Sequence, residues 1–186
     1  MKIRYQCSSV GMLPKKVYSR IHSSMPIPGI DLMIYSGADT RNEEILIGLR
    51  KNEPGKGKWC IPGGRIFKGE TVERAIHRIA DDEANVICKS PILVGNWQYM
   101  SNADPFGHGR GTHTFTLVYA IRFVNFIKTK QSNIESQHDR MEWFNIGNPH
   151  DWYEHRMESP LRDKLPTWHN EHTRILLAMH RLGMHW

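Results

Sequence analysis

Cysteine is scarce in this chain. The three that occur, Cys7, Cys60 and Cys88, are odd in number and show no metal-ligand spacing, so a reduced, cytoplasmic setting is expected. No apolar run approaches the roughly 18 residues of a spanning helix, and the first residues hold no signal-type apolar core. A membrane partner is therefore not expected. Low-complexity tracts and internal repeats are absent too. Acidic residues are outnumbered, 19 Asp+Glu against 25 Lys+Arg, for a formal charge of +6. That balance favours an anionic partner, although so modest an excess does not separate nucleotides from nucleic acid. No basic-aromatic stripe supports nucleic acid, which is the less expected of the two.

What is present points to one domain. A length of 186 residues suits a single full-sized core. Its most informative stretch is the glycine-rich turn from Pro62 to Glu70 and the segment from Thr71 to Val86 behind it. Val72, Ala75, Ile76, Ile79 and Ala80 recur at intervals of three and four, which predicts a helix with one apolar face. Thr71 stands at its expected start, with Glu73 favouring the first turn. Glu83 falls within roughly 20° of Ile76 around that helix, so a carboxylate shares the face that is to be buried. Burying a carboxylate calls for an arginine, a proton or a metal ion. Loop, helix and inward acid together suggest a site for phosphate and metal.

Around this centre the pattern reads as strands. Gly29 to Ser36 alternates, as does Glu44 to Arg50 in part, and Ile92 to Tyr99 and His113 to Phe123 are β-rich. Asn102 to Gly111 is a long polar loop, a place where ligand contacts gather or where the chain is simply mobile. Met141 to Phe144 reads as a short last strand. Residues 1–28 are mixed, with Ser23 to Pro28 a loop. After Asn148 the chain is helical in places, broken at Pro160 and Pro166, with Ile175, Leu176, Met179 and Leu182 at helical spacing. His169, His172, His180 and His185 in that tail form no metal-binding motif.

Gly64, five residues, Glu70, seven residues, Arg78 and then Asp82-Glu83, with Val86 beyond, resembles the box of the Nudix hydrolases, G-x5-E-x7-R-E-U-x-E-E-x-G-U with U aliphatic. Ile79 stands where the box has a glutamate, and Asn85 where it has glycine. Asparagine tolerates left-handed backbone well, so that change is mild. The loss of a carboxylate at position 79 is not. A defective box of this kind is similar to that of the GDP-mannose mannosyl hydrolases. Leu49 to Asn52, Gly57 to Arg65, Gly95 to Tyr99, Thr112-His113 and Gln137-His138-Asp139 with Trp143 also resemble that subfamily. The resemblance implies an α/β fold, a mixed β-sheet between helices in an α/β/α sandwich. It implies one domain over residues 1–186, with a core from about 29 to 146 and a helical extension over about 147–186.

The same resemblance implies hydrolysis of GDP-mannose, and by extension GDP-glucose, by water attack at the anomeric carbon with inversion. Glu83, the carbonyl of Gly63 and the side-chain oxygen of Gln137 would hold Mg²⁺, or Mn²⁺ in its place. His138 would be the general base. Arg65 and Arg50 would grip the diphosphate, Asp31 would contact the nucleoside or sugar, and Arg78 would act at the diphosphate. Homodimers are also implied. Plainer readings stand beside these. Arg78 also suits a pair with Asp82, Glu70 suits organising the loop, Glu83 suits a buried ion pair, and His138 suits a core or surface position. Arg50 suits an exposed strand end. An ordinary Nudix pyrophosphatase and a non-catalytic nucleotide-sugar binding module remain the alternative functions. Tyr99 and Thr114 stand where the subfamily has other residues.

Overall fold

The computed structural model describes residues 11–36, 44–126 and 138–145. Its elements run α1 (Lys15–His22), β1 (Ile27–Ser36), β2 (Glu44–Arg50), β3 (Trp59–Cys60), β4 (Gly63–Arg65), α2 (Val72–Ala84), β5 (Val86–Ser101), β6 (Thr112–Phe126) and β7 (His138–Asn145). The seven strands form one mixed sheet. Its main path is β3-β2-β1-β6-β5, with β4 paired to β1 and β7 to β2. Among the described strands only β1 and β6 run parallel; the other pairs are antiparallel. The helical run expected over 167–182, the expected ligand Gln137 and the rest of the extension lie outside the described residues.

Alternation along the central strands sends side chains to opposite faces. Ile30, Leu32 and Ile34 of β1 join Leu46 and Ile121 beneath α2, which presents Ala75, Ile76, Ile79, Ala80 and Ala84. Met33, Ile45, Ile47, Val118, Ala120 and Phe144 form the core of the other face, with Trp59 and Ile61. Full burial of each isoleucine stabilises by about 1.5–3 kcal/mol, so these two clusters hold the sheet and α2 as one unit.

The box helix begins and ends for local reasons. Thr71 caps it, its side chain accepting from the Arg74 N–H at 3.2 Å. Asn85 ends it in left-handed geometry, at φ 55°, and Val86 starts the next strand. The helix is thus two residues shorter at its C-terminus than its apolar period suggested, because the left-handed cap closes it. Asparagine does here what glycine does in the box.

Two elements differ from expectation. β5 begins at Val86, not near Ile92, and its pairing with β6 shifts register three times between Ile87 and Gly95. Pro91 and the positive φ of Ser90 break its alternation, a disruption tolerated on an edge strand. Helix α1 falls in the stretch whose sequence pattern is only mixed. Eight residues are too few for a stable isolated helix, so its packing on the 102–111 loop decides it. No helix among the described residues is long and apolar enough to cross a membrane.

Candidate active site

A pocket of about 300 Å³ opens beside the parallel pair β1–β6. Thr112, Thr114 and Thr116, alternate residues of β6, line it together with Gly29 and Asp31 of β1. Arg50 at the end of β2, Cys60 of β3 and Gly63, Gly64 and Arg65 of β4 line another side. Tyr18 and His22 of α1 and Phe106 of the 102–111 loop complete it. Of the residues expected to touch substrate, the fold brings Asp31, Arg50 and Arg65 to this one pocket, with Gly63 beside them.

The glycines of the turn are there for close approach. Gly63 pairs with Asp31 across β4 and β1, and a Cβ on Gly63 would collide with the Asp31 carboxylate. A Cβ on Gly64 would stand 3.2 Å from Cγ1 of Ile79. The loop therefore lies directly on the helix at position 79, where Ile79 is fully buried. Each backbone approach needs the missing side chain.

Glu83 is mostly buried, as its helical position predicts, with 15% of its side chain exposed. Its Oε2 lies 3.6 Å from Nδ1 of His138, whose side chain is 1% exposed. The other ring nitrogen, Nε2, stands 3.3 Å from the Cys60 sulfur. Gly48 makes room for this ring, since a Cβ there would strike it. His138 does not line the pocket; Cys60 does. Burial pushes the Cys60 thiol up to about 12, against the opposing pull of the Arg50 guanidinium. The thiol is therefore neutral near pH 7 and not a nucleophile. The Nε of Arg50 is buried with no hydrogen-bond partner among the described residues. Arg50 is thus a half-buried pocket residue, not a freely exposed strand end.

Arg78 is placed differently from a diphosphate contact. Its Nε donates to Oε1 of Glu70 at 2.7 Å and its Nη2 to Oε2 at 2.9 Å. Nη2 also donates to the Arg65 carbonyl at 2.9 Å, and the guanidinium lies 3.9 Å over the Phe67 ring. Asp82, the partner expected from helical spacing, is 4.0 Å away. Arg78 therefore fastens the loop that carries Arg65 to α2, and it does not line the pocket. Glu70 organises the loop, accepting also from the Phe67 N–H at 3.0 Å.

The Arg78 hydrogen bonds hold the Glu70 carboxyl below its usual value near 4.5, with burial opposing and the Phe67 N–H assisting. Stability from a carboxylate with a lowered folded pKa is complete above the unfolded value and is lost as pH falls through the folded one. Glu70→Gln is expected to lower stability by about 1–3 kcal/mol at pH 7. In urea titrations that deficit should shrink steadily below about pH 4.5. A deficit constant down to pH 3 would refute an ionic role.

The donors fit a hard divalent cation in kind. Among the described residues no three of His, Cys, Asp and Glu group around a common metal position. The Glu83 carboxylate, mostly buried beside Nδ1 of His138, is nevertheless an oxygen donor of the kind such a cation takes. One carboxylate with a backbone carbonyl suits an ion that keeps most of its shell as water and phosphate oxygen.

Sequence reading does not single out several pocket residues, among them Tyr18, His22, Phe106 and Cys60 in its contact with His138. Tyr18 and Phe106 are far apart in the chain, and neither belongs to a motif. The spacing of Val17, Tyr18 and Ile21 after Pro14 was the available signal for α1.

Comparisons with known proteins agree with this fold. The chain is 26% identical over 133 residues to the low-salt glycan biosynthesis protein Agl8 of Haloferax volcanii, covering 71% of this chain and 79% of that one. It is 34% identical over 94 residues to an ADP-ribose pyrophosphatase of Methanocaldococcus jannaschii, covering half of each. The solved NUDIX domain of Shewanella oneidensis NrtR, complexed with ADP ribose, superimposes with a TM-score of 0.58. That match covers 86% of this chain and 90% of the other at 18% identity, a likeness of fold alone. The NUDIX domain family matches residues 28–166, a span that runs from the second residue of β1 through β7 and includes the glycine turn and α2, and the chain belongs to that family.

Proposed function

We propose that the chain hydrolyses a nucleoside diphosphate sugar, GDP-mannose or GDP-glucose, to GDP and the free sugar. Water attacks the anomeric carbon, the bond from that carbon to the diphosphate oxygen breaks, and the sugar leaves with inverted configuration. The observation that carries this reading is the state of the box helix. Position 79 is buried isoleucine, Glu70 is held by Arg78, and Glu83 is the carboxylate turned inward. Attack at phosphorus in ordinary members draws on a cluster of carboxylates. Departure of a whole diphosphate requires less: one cation and well-placed positive side chains.

Nudix hydrolases generally use divalent metals such as Mg²⁺ or Mn²⁺. Glu83, the Gly63 carbonyl and Gln137 (the last outside the described residues) would hold the ion. When bound, it neutralises charge on the departing diphosphate. Arg65 and Arg50 hold the diphosphate oxygens, for which the guanidinium fork is matched. Asp31, braced over Gly63, accepts from a hydroxyl of the nucleoside or sugar. His138 takes the proton from water, and Glu83 stabilises the imidazolium that results. Because both ring nitrogens face protein atoms, the Cys60 side chain must give way before water reaches Nε2. Arg78 serves by holding the Arg65 loop.

A second reading has its own support. Asp82 beside Glu83 is half-exposed, and the resemblance to an ADP-ribose pyrophosphatase spans half the chain. Cleavage at phosphorus would yield GMP and sugar 1-phosphate. Hydrolysis of a nucleotide-sugar panel in ¹⁸O water, with and without Mg²⁺, separates the readings. Label is expected in the free sugar, with GDP unlabelled. Label in a phosphate product would overturn carbon attack, and binding without turnover would make the protein a nucleotide-sugar sensor.

A further inference from the structure

Helix α1 precedes residues 28–166, the span matched to the family, yet it supplies a wall of the pocket. Its most telling contact is with Arg65. The Arg65 guanidinium carbon lies 3.9 Å from the centre of the Tyr18 ring and 5.3 Å from that of Phe67. Its Nη2 donates to the Met12 sulfur at 3.1 Å. A guanidinium laid against an aromatic face is attracted to it and loses rotational freedom, while its edge keeps donors for an anion. Arg65 is thus held at two ends, its carbonyl by Arg78 and its head by Tyr18.

Tyr18 is itself locked in place. Its ring meets Phe106 edge-on at 5.2 Å, and Phe106 meets His22 at 4.9 Å. Nδ1 of His22 stands 2.7 Å from Nε2 of His108, and Arg110 donates to the Ser23 carbonyl at 3.2 Å. Asp104 stiffens that loop by accepting the N–H groups of Phe106, Gly107 and Gly109. Helix, loop and Arg65 therefore form one packed assembly. Without it the guanidinium would sample many rotamers, each of which an anionic ligand must exclude on binding.

We infer that Tyr18 is a positioning residue for Arg65, which makes α1 a working part of the diphosphate site, not an appendage. This rests on the reading that Arg65 holds a diphosphate. Full-length wild type, Tyr18→Leu, Tyr18→Phe, Arg65→Gln and the Tyr18→Leu/Arg65→Gln double variant form the test. GDP binding is measured by calorimetry in the presence of Mg²⁺, and kcat and KM on the nucleotide sugar. Tyr18→Leu is expected to weaken GDP binding and raise KM by about threefold to thirtyfold, the range of a stacked cation–π contact. Tyr18→Phe restores the contact. In the Arg65→Gln background Tyr18→Leu should have no further effect, because the two residues act as a unit.

Additive losses in the double variant would overturn the inference, since they mean Tyr18 acts on its own. GDP binding indifferent to Arg65→Gln would overturn it at its premise. Should Tyr18→Leu fold poorly, Tyr18→Met keeps apolar bulk without the ring and carries the same cycle. If no nucleotide sugar is hydrolysed but GDP binding keeps the coupling, the hydrolase reading falls and the role of Tyr18 stands.

Discussion

Glu83→Gln is expected to lower turnover of the nucleotide sugar by about a hundredfold or more, since cation assistance contributes several kcal/mol to such a step. The substitution is nearly isosteric, so the helix should keep its packing. What changes is charge. A neutral amide binds a hard divalent cation poorly, and it no longer favours a protonated His138 at 3.6 Å. Both losses strike the same transition state, because the diphosphate departs with negative charge as water gives up its proton. Mn²⁺ binding followed by water-proton relaxation, alongside kcat/KM, separates the two effects. Weak Mn²⁺ binding with low turnover supports Glu83 as a ligand. Unchanged turnover on every nucleotide sugar tested would remove the proposed mechanism entirely.

Restoring the box acid should do harm. Ile79→Glu puts a carboxylate where exposure is 0% and where Gly64 leaves its Cγ1 only 3.2 Å from a would-be Cβ. Deleting comparable apolar bulk from a core already costs about 2–5 kcal/mol. An unpaired buried charge adds to that, so a loss of about 3 kcal/mol or more is expected. Ile79→Leu, which conserves volume, should cost less than about 1.5 kcal/mol. Urea denaturation measures both. Product analysis of Ile79→Glu should reveal no new phosphorus cleavage. GMP and sugar 1-phosphate from a stable Ile79→Glu protein would mean instead that the box lacks only this acid.

Much of the site was legible because it is local in the chain. The period of α2, the inward turn of Glu83 and the Asn85 cap all follow from residues a few positions apart. So does the role of Glu70 in the loop. Arg78 was legible only in part. Helical spacing offered Asp82, four residues on, whereas the chosen partner, Glu70, lies across the turn and presents a planar carboxylate to the guanidinium fork. α1 and the long β5 were missed for opposite reasons. The first is too short to declare itself without its aromatic partners. The second is an edge strand whose bulges erase the two-residue alternation by which strands are recognised.

The sequence by itself determined the elements that depend on neighbours along the chain: the glycine turn, the box helix, the alternating central strands and the absence of an acid at position 79. Tertiary structure decided which distant residues share a pocket. The pairing of β1 with β6 and β4, the pairing of β2 with β3 and the docking of α1 on the 102–111 loop bring Asp31, Arg50, Arg65 and Tyr18 to one place. Periodicity records which face of an element is buried, whereas the identity of what covers that face is set by chain closure over many residues.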